Sequence, residues 1–191
     1  HSINSTMKKI ILTLVLIQTL GQVSFAQDRY FTREGSVSFF SATPIENIEA
    51  NNEKLQSVVD VSTGAFEFAA LIKSFEFDKA LMEEHFNENY MESNTHPKAN
   101  FRGNIENIAD LKAKNYPADA TAVAKGKMTI HGVEKDVEIP AQLLKDADGI
   151  KVVCKFNVNP EDYKIAIPNA VRDKIAKDIE VNVEALLKPM K

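Results

Sequence analysis

The sequence predicts a mainly β domain, about eight antiparallel strands closed into a barrel with one or two short helices. Three observations carry this. Apolar residues alternate with polar ones in separate segments between residues 36 and 187, the period of a half-buried strand. Residues 120–158 form two linked hairpins whose register can be deduced. Helical periodicity is largely confined to one interval near residue 80. Eight or so amphipathic strands suit a sandwich or a barrel, and closure removes the unpaired edges a sandwich keeps. An eight-stranded barrel has room inside for side chains or one small ligand.

The first strand signal spans residues 36–42, and the second spans 55–61, after a polar stretch containing Asn51-Asn52. Ser62-Thr63-Gly64 reads as a turn into a long strand, residues 65–77, in which Phe66, Phe68, Ala70 and Ile72 share a face. A kink or bulge is expected near Lys73, before Phe75 and Phe77. From Asp78 the period changes: Leu81, Met82, His85, Phe86 and Tyr90 recur near i, i+4, a short amphipathic helix with Asp78 as its expected N-cap. Its acids Glu83, Glu84 and Glu88 read as a solvated face. Strand signals resume at residues 98–103, and an irregular link, 104–119, follows. Beyond the hairpins, residues 163–168 read as an irregular return, 169–176 as a short helical turn, and 179–187 as the last strand.

The hairpin register follows from a two-residue turn at His131-Gly132, where Gly accepts positive φ freely and His does so more readily than most residues. Ile130 then faces Val133, and the inward pairs are Gly126 with Val137, Ala124 with Ile139 and Ala122 with Ala141. The outward pairs become Lys127 with Asp136 and Lys125 with Glu138. The next strand carries Ile150, Val152, Cys154, Phe156 and Val158 inward and sets Lys155 beside Glu138. Such exposed ion pairs mainly specify register, since a slip by one residue would turn the apolar set outward. The small residues Ala122, Ala124 and Gly126 are expected to leave interior space.

Composition bounds the rest. A chain of 191 residues, 44% hydrophobic, without repeats or a Pro/Gly-rich linker, suits one domain, residues 27–191. A formal charge of −4 argues against a nucleic-acid surface. From Met7 the sequence reads as a cleaved signal peptide, residues 7–26: Lys8 and Lys9, an apolar run from Ile10, then Ser24-Phe25-Ala26. The run is about 15 residues and contains Gln18, too short for a membrane span. Residues 1–6 read as upstream sequence or an expression remnant. Cleavage would remove two of the 23 basic residues and none of the 27 acidic ones, leaving 21 against 27, formally −6. The expected destination is the periplasm or the exterior. The single cysteine, Cys154, excludes an internal disulfide, and its inward parity makes it a buried, inert thiol.

Catalytic and metal signatures are lacking. There is no G-x-S-x-G elbow, no Gly-rich phosphate loop and no local base beside Cys154. His85, His96 and His131 lie in a helix, a His-Pro turn and a hairpin turn with no H-x-H or H-E-x-x-H spacing, so no metal site and no cofactor are expected. The inward parity places only Cys154 and Lys135 as ionisable groups inside. The pattern alone leaves open a lipid tunnel, a filled core in an envelope stress or structural protein, and an isomerase or hydrolase acting on a small apolar substrate.

An ordered series of segments resembles the YceI-like family, secreted lipocalin-like proteins associated with polyisoprenoid binding. It comprises Phe39, the run Gly64-Ala65-Phe66-Glu67-Phe68, the helix from Met82 to Phe86 with Asn87 to Tyr90, the run His96-Pro97-Lys98-Ala99-Asn100-Phe101, and the hairpin from Gly126 to Lys135. The resemblance covers roughly residues 30–188. It implies an extended barrel whose elongated apolar cavity takes an isoprenoid or fatty chain, often in a dimer, in binders or carriers that are not enzymes. The ligand-contact residues it implies, combined with the inward parity, are Phe39, Phe66, Phe68, Phe75, Phe101, Ala124, Met128, Ile139, Val152, Cys154 and Phe156. Where relatives carry an Arg-acid pair before the helix His this chain has Met82-Glu83, and Asn159-Pro160-Glu161-Asp162-Tyr163 replaces a basic-glycine loop. A charged head group thus loses its usual partners, and any head group is expected near the helix end and Lys135.

Overall fold

The computed structural model describes residues 28–191; residues 1–6 and the expected leader, 7–26, fall outside the described residues. Nine strands form one antiparallel sheet: β1 (Arg29–Ala42), β2 (Asn47–Asp60), β3 (Ala65–Leu71), β4 (Glu76–Phe77), β5 (Lys98–Ile105), β6 (Ala122–Ile130), β7 (Val133–Lys145), β8 (Ile150–Val158) and β9 (Ile179–Pro189). The order β1-β9-β8-β7-β6-β5-β3-β2 closes on itself through β1–β2 pairing, giving an eight-stranded barrel, and the short β4 pairs with β2 outside that ring. Closure satisfies each barrel strand on both edges, the solution expected from the edge argument.

The hairpin register holds pair for pair: Ile130 faces Val133, Gly126 faces Val137, Ala124 faces Ile139 and Ala122 faces Ala141. His131 at φ +52° and Gly132 at φ +72° supply the two positive-φ residues that such a turn requires. Outside, Lys125 lies 3.2 Å from Glu138 and 3.0 Å from Glu106, while Lys127 lies 3.2 Å from Asp136. Lys155 departs from expectation. β8 pairs Cys154 with Ala141 across the longer loop, which leaves Lys155 short of Glu138, and its ammonium meets Glu180 of β9 at 2.9 Å instead.

Two other departures have local causes. Asn51 and Asn52 lie within β2, not before it, because β1 bulges between Thr32 and Val37 and β2 buries Asn52 completely. Asn52 Nδ2 donates to the Leu71 carbonyl at 3.0 Å and its Oδ1 accepts from Lys54 N–H at 2.9 Å, so the buried amide is satisfied. The second is Gly126, which opens no interior space. A Cβ there would lie 2.1 Å from the Arg102 carbonyl oxygen and 2.7 Å from Gly103 Cα, so the facing pair Gly103–Gly126 lets β5 and β6 approach closely.

The kink near Lys73 is a 3-10 turn, Ile72–Ser74. The turn resets the parity, so that Phe66 and Ala70 before it, Ile72 at its start and Phe75 after it are all buried. The helix that follows, α1 (Ala80–His85), continues as a π-helical turn, Phe86–Tyr90. Asp78 does not cap it: Lys79 holds the cap position, and Glu83 accepts the Phe77 N–H at 3.2 Å. The link 104–119 contains a second helix, α2 (Ile108–Ala113), which buries Ile108 and Leu111 against the barrel floor. Residues 169–176 do contain the expected helical turn, a 3-10 segment at Asn169–Lys174, which Ser41 anchors by accepting Ala176 N–H at 2.8 Å.

Candidate functional site

The interior divides along the barrel axis. At one end α2, Tyr116 and the ends of β7, β8 and β9 pack solidly, with Leu111 and Leu187 wholly buried and Leu143 and Ile150 nearly so. Burial there pushes the Tyr116 hydroxyl up to about 12, with the nearby Tyr30 and Asp28 adding to the effect. Above this floor the barrel holds a cavity of about 600 Å³, within the range of ligand sites. The barrel is therefore not filled.

All eleven residues assigned from sequence lie on the wall of this one cavity: Phe39, Phe66, Phe68, Phe75, Phe101, Ala124, Met128, Ile139, Val152, Cys154 and Phe156. Strand alternation explains the convergence of ten of them, since every barrel strand sends alternate residues inward, while Phe75 is placed by the 3-10 turn before it. Ala122 and Ala124 flank the space where larger residues would fill it, and Gly126 lies off the wall. Towards the open end Phe39 and Phe86 meet at 5.3 Å between ring centroids, Phe77 and Phe86 at 5.1 Å, and Phe39 and Phe75 at 5.4 Å. Of these four rings only Phe75 is fully buried; the others are partly exposed to the cavity and its mouth.

The mouth lies between the β1–β2 turn, α1 and residues 167–175. Lys79 meets Glu46 across it at 3.5 Å, and exposed Leu81, His85 and Lys174 complete the rim. Glu46, Lys79 and Lys174 were not assigned from the sequence, because they sit in connections where strand parity gives no direction, whereas His85 ends the helix near which a head group was expected. Lys135, expected inside, is exposed and off the cavity wall. It stands near the start of β7, beside the hairpin turn, where its long side chain reaches solvent. Deeper in, Cys154 is partly buried, and burial pushes its thiol up to about 11, so it stays protonated at neutral pH. Apart from Glu46, Lys79, His85, Tyr90 and Lys174 near the mouth, Cys154 is the wall's ionisable group among the described residues.

Away from the cavity the fold joins two of the histidines that local spacing keeps apart: His96 and His131 lie with ring centroids 4.8 Å apart, beside Glu92. This proximity comes from tertiary packing of the hairpin turn on the segment after α1. His85 is not part of the group.

Comparison with known proteins follows the same lines. The model of the YceI-like domain family matches residues 19–187. Among solved structures the fold is similar to a polyisoprenoid-binding domain from Saccharophagus degradans implicated in plant cell wall breakdown, with TM-score 0.69 and 11% identity over 85% of this chain and 99% of that one. It is similar to Burkholderia cenocepacia BcnA, with TM-score 0.64 and 14% identity over 80% of this chain and 94% of that one. A YceI protein from Campylobacter jejuni gives TM-score 0.60 and 19% identity over 78% and 89% of the two chains. No curated protein matches the sequence.

Proposed function

The chain belongs to the YceI-like domain family, and on that premise we infer that it is an exported carrier that holds a polyisoprenoid or other long-chain amphiphile by its tail, not an enzyme. The observation that carries this is the convergence of the inward aromatic and aliphatic residues on one apolar cavity of about 600 Å³, closed below and open at one end. Burying an alkyl chain is worth about 0.8 kcal/mol per CH₂, so a long tail binds without buried polar anchors. The head group stays at the rim formed by α1, Lys79, His85 and Lys174, in place of the Lys135 position. The similarity to a polyisoprenoid-binding domain supports the same class of ligand. Acid–base or nucleophilic chemistry has little support, since the deep wall offers only a protonated Cys154 thiol with no base beside it among the described residues. The leader sequence supports release into the periplasm or medium.

Native mass spectrometry of gently purified protein tests the carrier reading. A co-purified long-chain species is expected; protein that is empty and takes up neither an isoprenoid nor a fatty ligand would refute it. Export is checked by N-terminal sequencing of the protein from the periplasmic fraction, with Gln27 expected first.

A further inference from the structure

Glu92, His96 and His131 present one candidate ligand atom each, all within 4.8 Å of one another. Two unconnected segments supply them. Glu92 and His96 close one tight turn, with His96 N–H donating to the Glu92 carbonyl at 2.9 Å, and His131 stands in the β6–β7 turn. Glu92 at φ +47° and His131 at φ +52° both occupy the left-handed region that non-glycine residues seldom adopt. His96 packs directly on the hairpin turn: a Cβ at Gly132 would lie 2.7 Å from His96 Cε1.

The hydrogen bonds around His131 fix what its ring can do. Nδ1 lies 3.1 Å from the Tyr163 carbonyl oxygen, which can only accept, so Nδ1 carries the proton and donates. In the neutral ring Nε2 then presents a lone pair, and 2.6 Å away it faces Glu92 Oε2, another acceptor. At that distance the pair is bridged either by a proton on Nε2 or, in its place, by a metal ion. His96 borders the same point, the His131 side chain is 12% exposed and that of Glu92 55%, so the group is sheltered on one side and open to water on the other.

We propose that Glu92, His96 and His131 form a binding site for a divalent transition-metal ion of the zinc class. Two imidazoles, one carboxylate and an open position make a common ligand set for that ion. The Nδ1–H bond to a backbone carbonyl is the outer contact that typically orients a ligating histidine. Tetrahedral N and O ligands at 2.0–2.1 Å from an ion stand about 3.3 Å apart. The separations here, from 2.6 Å to no more than 4.8 Å, bracket that value, so small side-chain rotations complete the site. The ion would tie the segment after α1 to the β6–β7 turn and, through Tyr163, to the 3-10 turn Pro160–Tyr163. Met91 and Ile130, next in sequence to two of the ligands, line the cavity. An occupied site therefore stiffens the cavity's open end. This goes beyond the tail-binding reading and does not depend on it.

The test uses the untagged full chain, stripped by a chelator and titrated with Zn²⁺ by calorimetry and with Co²⁺ by visible absorption. One equivalent bound, a tetrahedral Co²⁺ spectrum and a higher melting temperature with Zn²⁺ are expected. Glu92→Gln, His96→Gln and His131→Asn should each weaken binding by more than about tenfold, as removal of one of three ligands demands. His131→Asn keeps the hairpin, because Asn favours the turn's positive φ, so it decides the matter even if another variant fails to fold. The proposal is overturned by absence of stoichiometric uptake, by uptake unchanged in His131→Asn, or by ¹⁵N spectra in which His131 is a doubly protonated ring unmoved by Zn²⁺.

Discussion

The two ends of the barrel share their strands and differ in what meets inside them. At the floor, α2 brings Leu111 into a space already lined by Leu143, Ile150 and Leu187, and the chain fills its own interior. At the open end Phe39, Phe77, Phe86 and Phe156 converge from β1, β4, the π-helical turn and β8, yet remain only partly buried. Aromatic side chains that large are usually covered by the protein's own atoms. Here they face a cavity. The difference teaches that the floor holds the fold together, while the open end keeps apolar surface in reserve for a ligand.

The largest expected effect is on the floor. Leu187→Ala removes a wholly buried side chain and should lower unfolding free energy by about 2–5 kcal/mol in urea titrations, leaving ligand affinity of the folded fraction unchanged. Phe86→Ala, whose ring is partly exposed among Phe39, Phe75 and Phe77, should cost only about 1–2 kcal/mol of stability while weakening ligand retention at least as much. Equal stability losses for the two variants would erase the contrast between the ends. Ala124→Phe sharpens it from the middle: a ring in the cavity should block uptake of long chains, with the circular dichroism spectrum preserved. Unchanged uptake would show that β6 does not line the occupied space.

Cys154 reports on the same wall by its reactivity. Its thiol is raised from an ordinary 9.0 to about 11, so the thiolate fraction at pH 8 is about two orders of magnitude below that of a free thiol. Iodoacetamide labelling should be slow in the native protein, speed up as pH rises towards that value, speed up on unfolding, and slow further when a tail fills the cavity. The smallest effect is expected outside: Lys125→Ala breaks exposed pairs with Glu106 and Glu138 and should leave the thermal melt essentially unmoved.

Much of this was legible in the sequence where information is local. The His131-Gly132 turn fixes a register that places Ala124, Met128 and Ile139 on the inner face of β6 and β7, and the same alternation read along β1, β3, β5 and β8 brings most of the other assigned residues to that wall. Legibility ends where tertiary contacts choose. Asn52 looks like a loop residue until the Leu71 carbonyl is seen to satisfy it. The helix α2 has only six residues, too few for a clear period, although Asn107 followed by Ile108 and Leu111 three apart is the signal that would have found it. Gly126 looked like vacancy because Gly103, its partner on β5, is distant in sequence. Lys155 follows β8's pairing with β9, and the closeness of His96 to His131 arises from packing alone.

The claim that the cavity binds a tail by apolar burial is tested most directly by affinity across a series of amphiphiles with one head group and increasing chain length. Each added CH₂ should tighten binding about fourfold, the equivalent of about 0.8 kcal/mol, until the tail outgrows the cavity and affinity levels off. Affinity independent of chain length, or set by the head group alone, would contradict it.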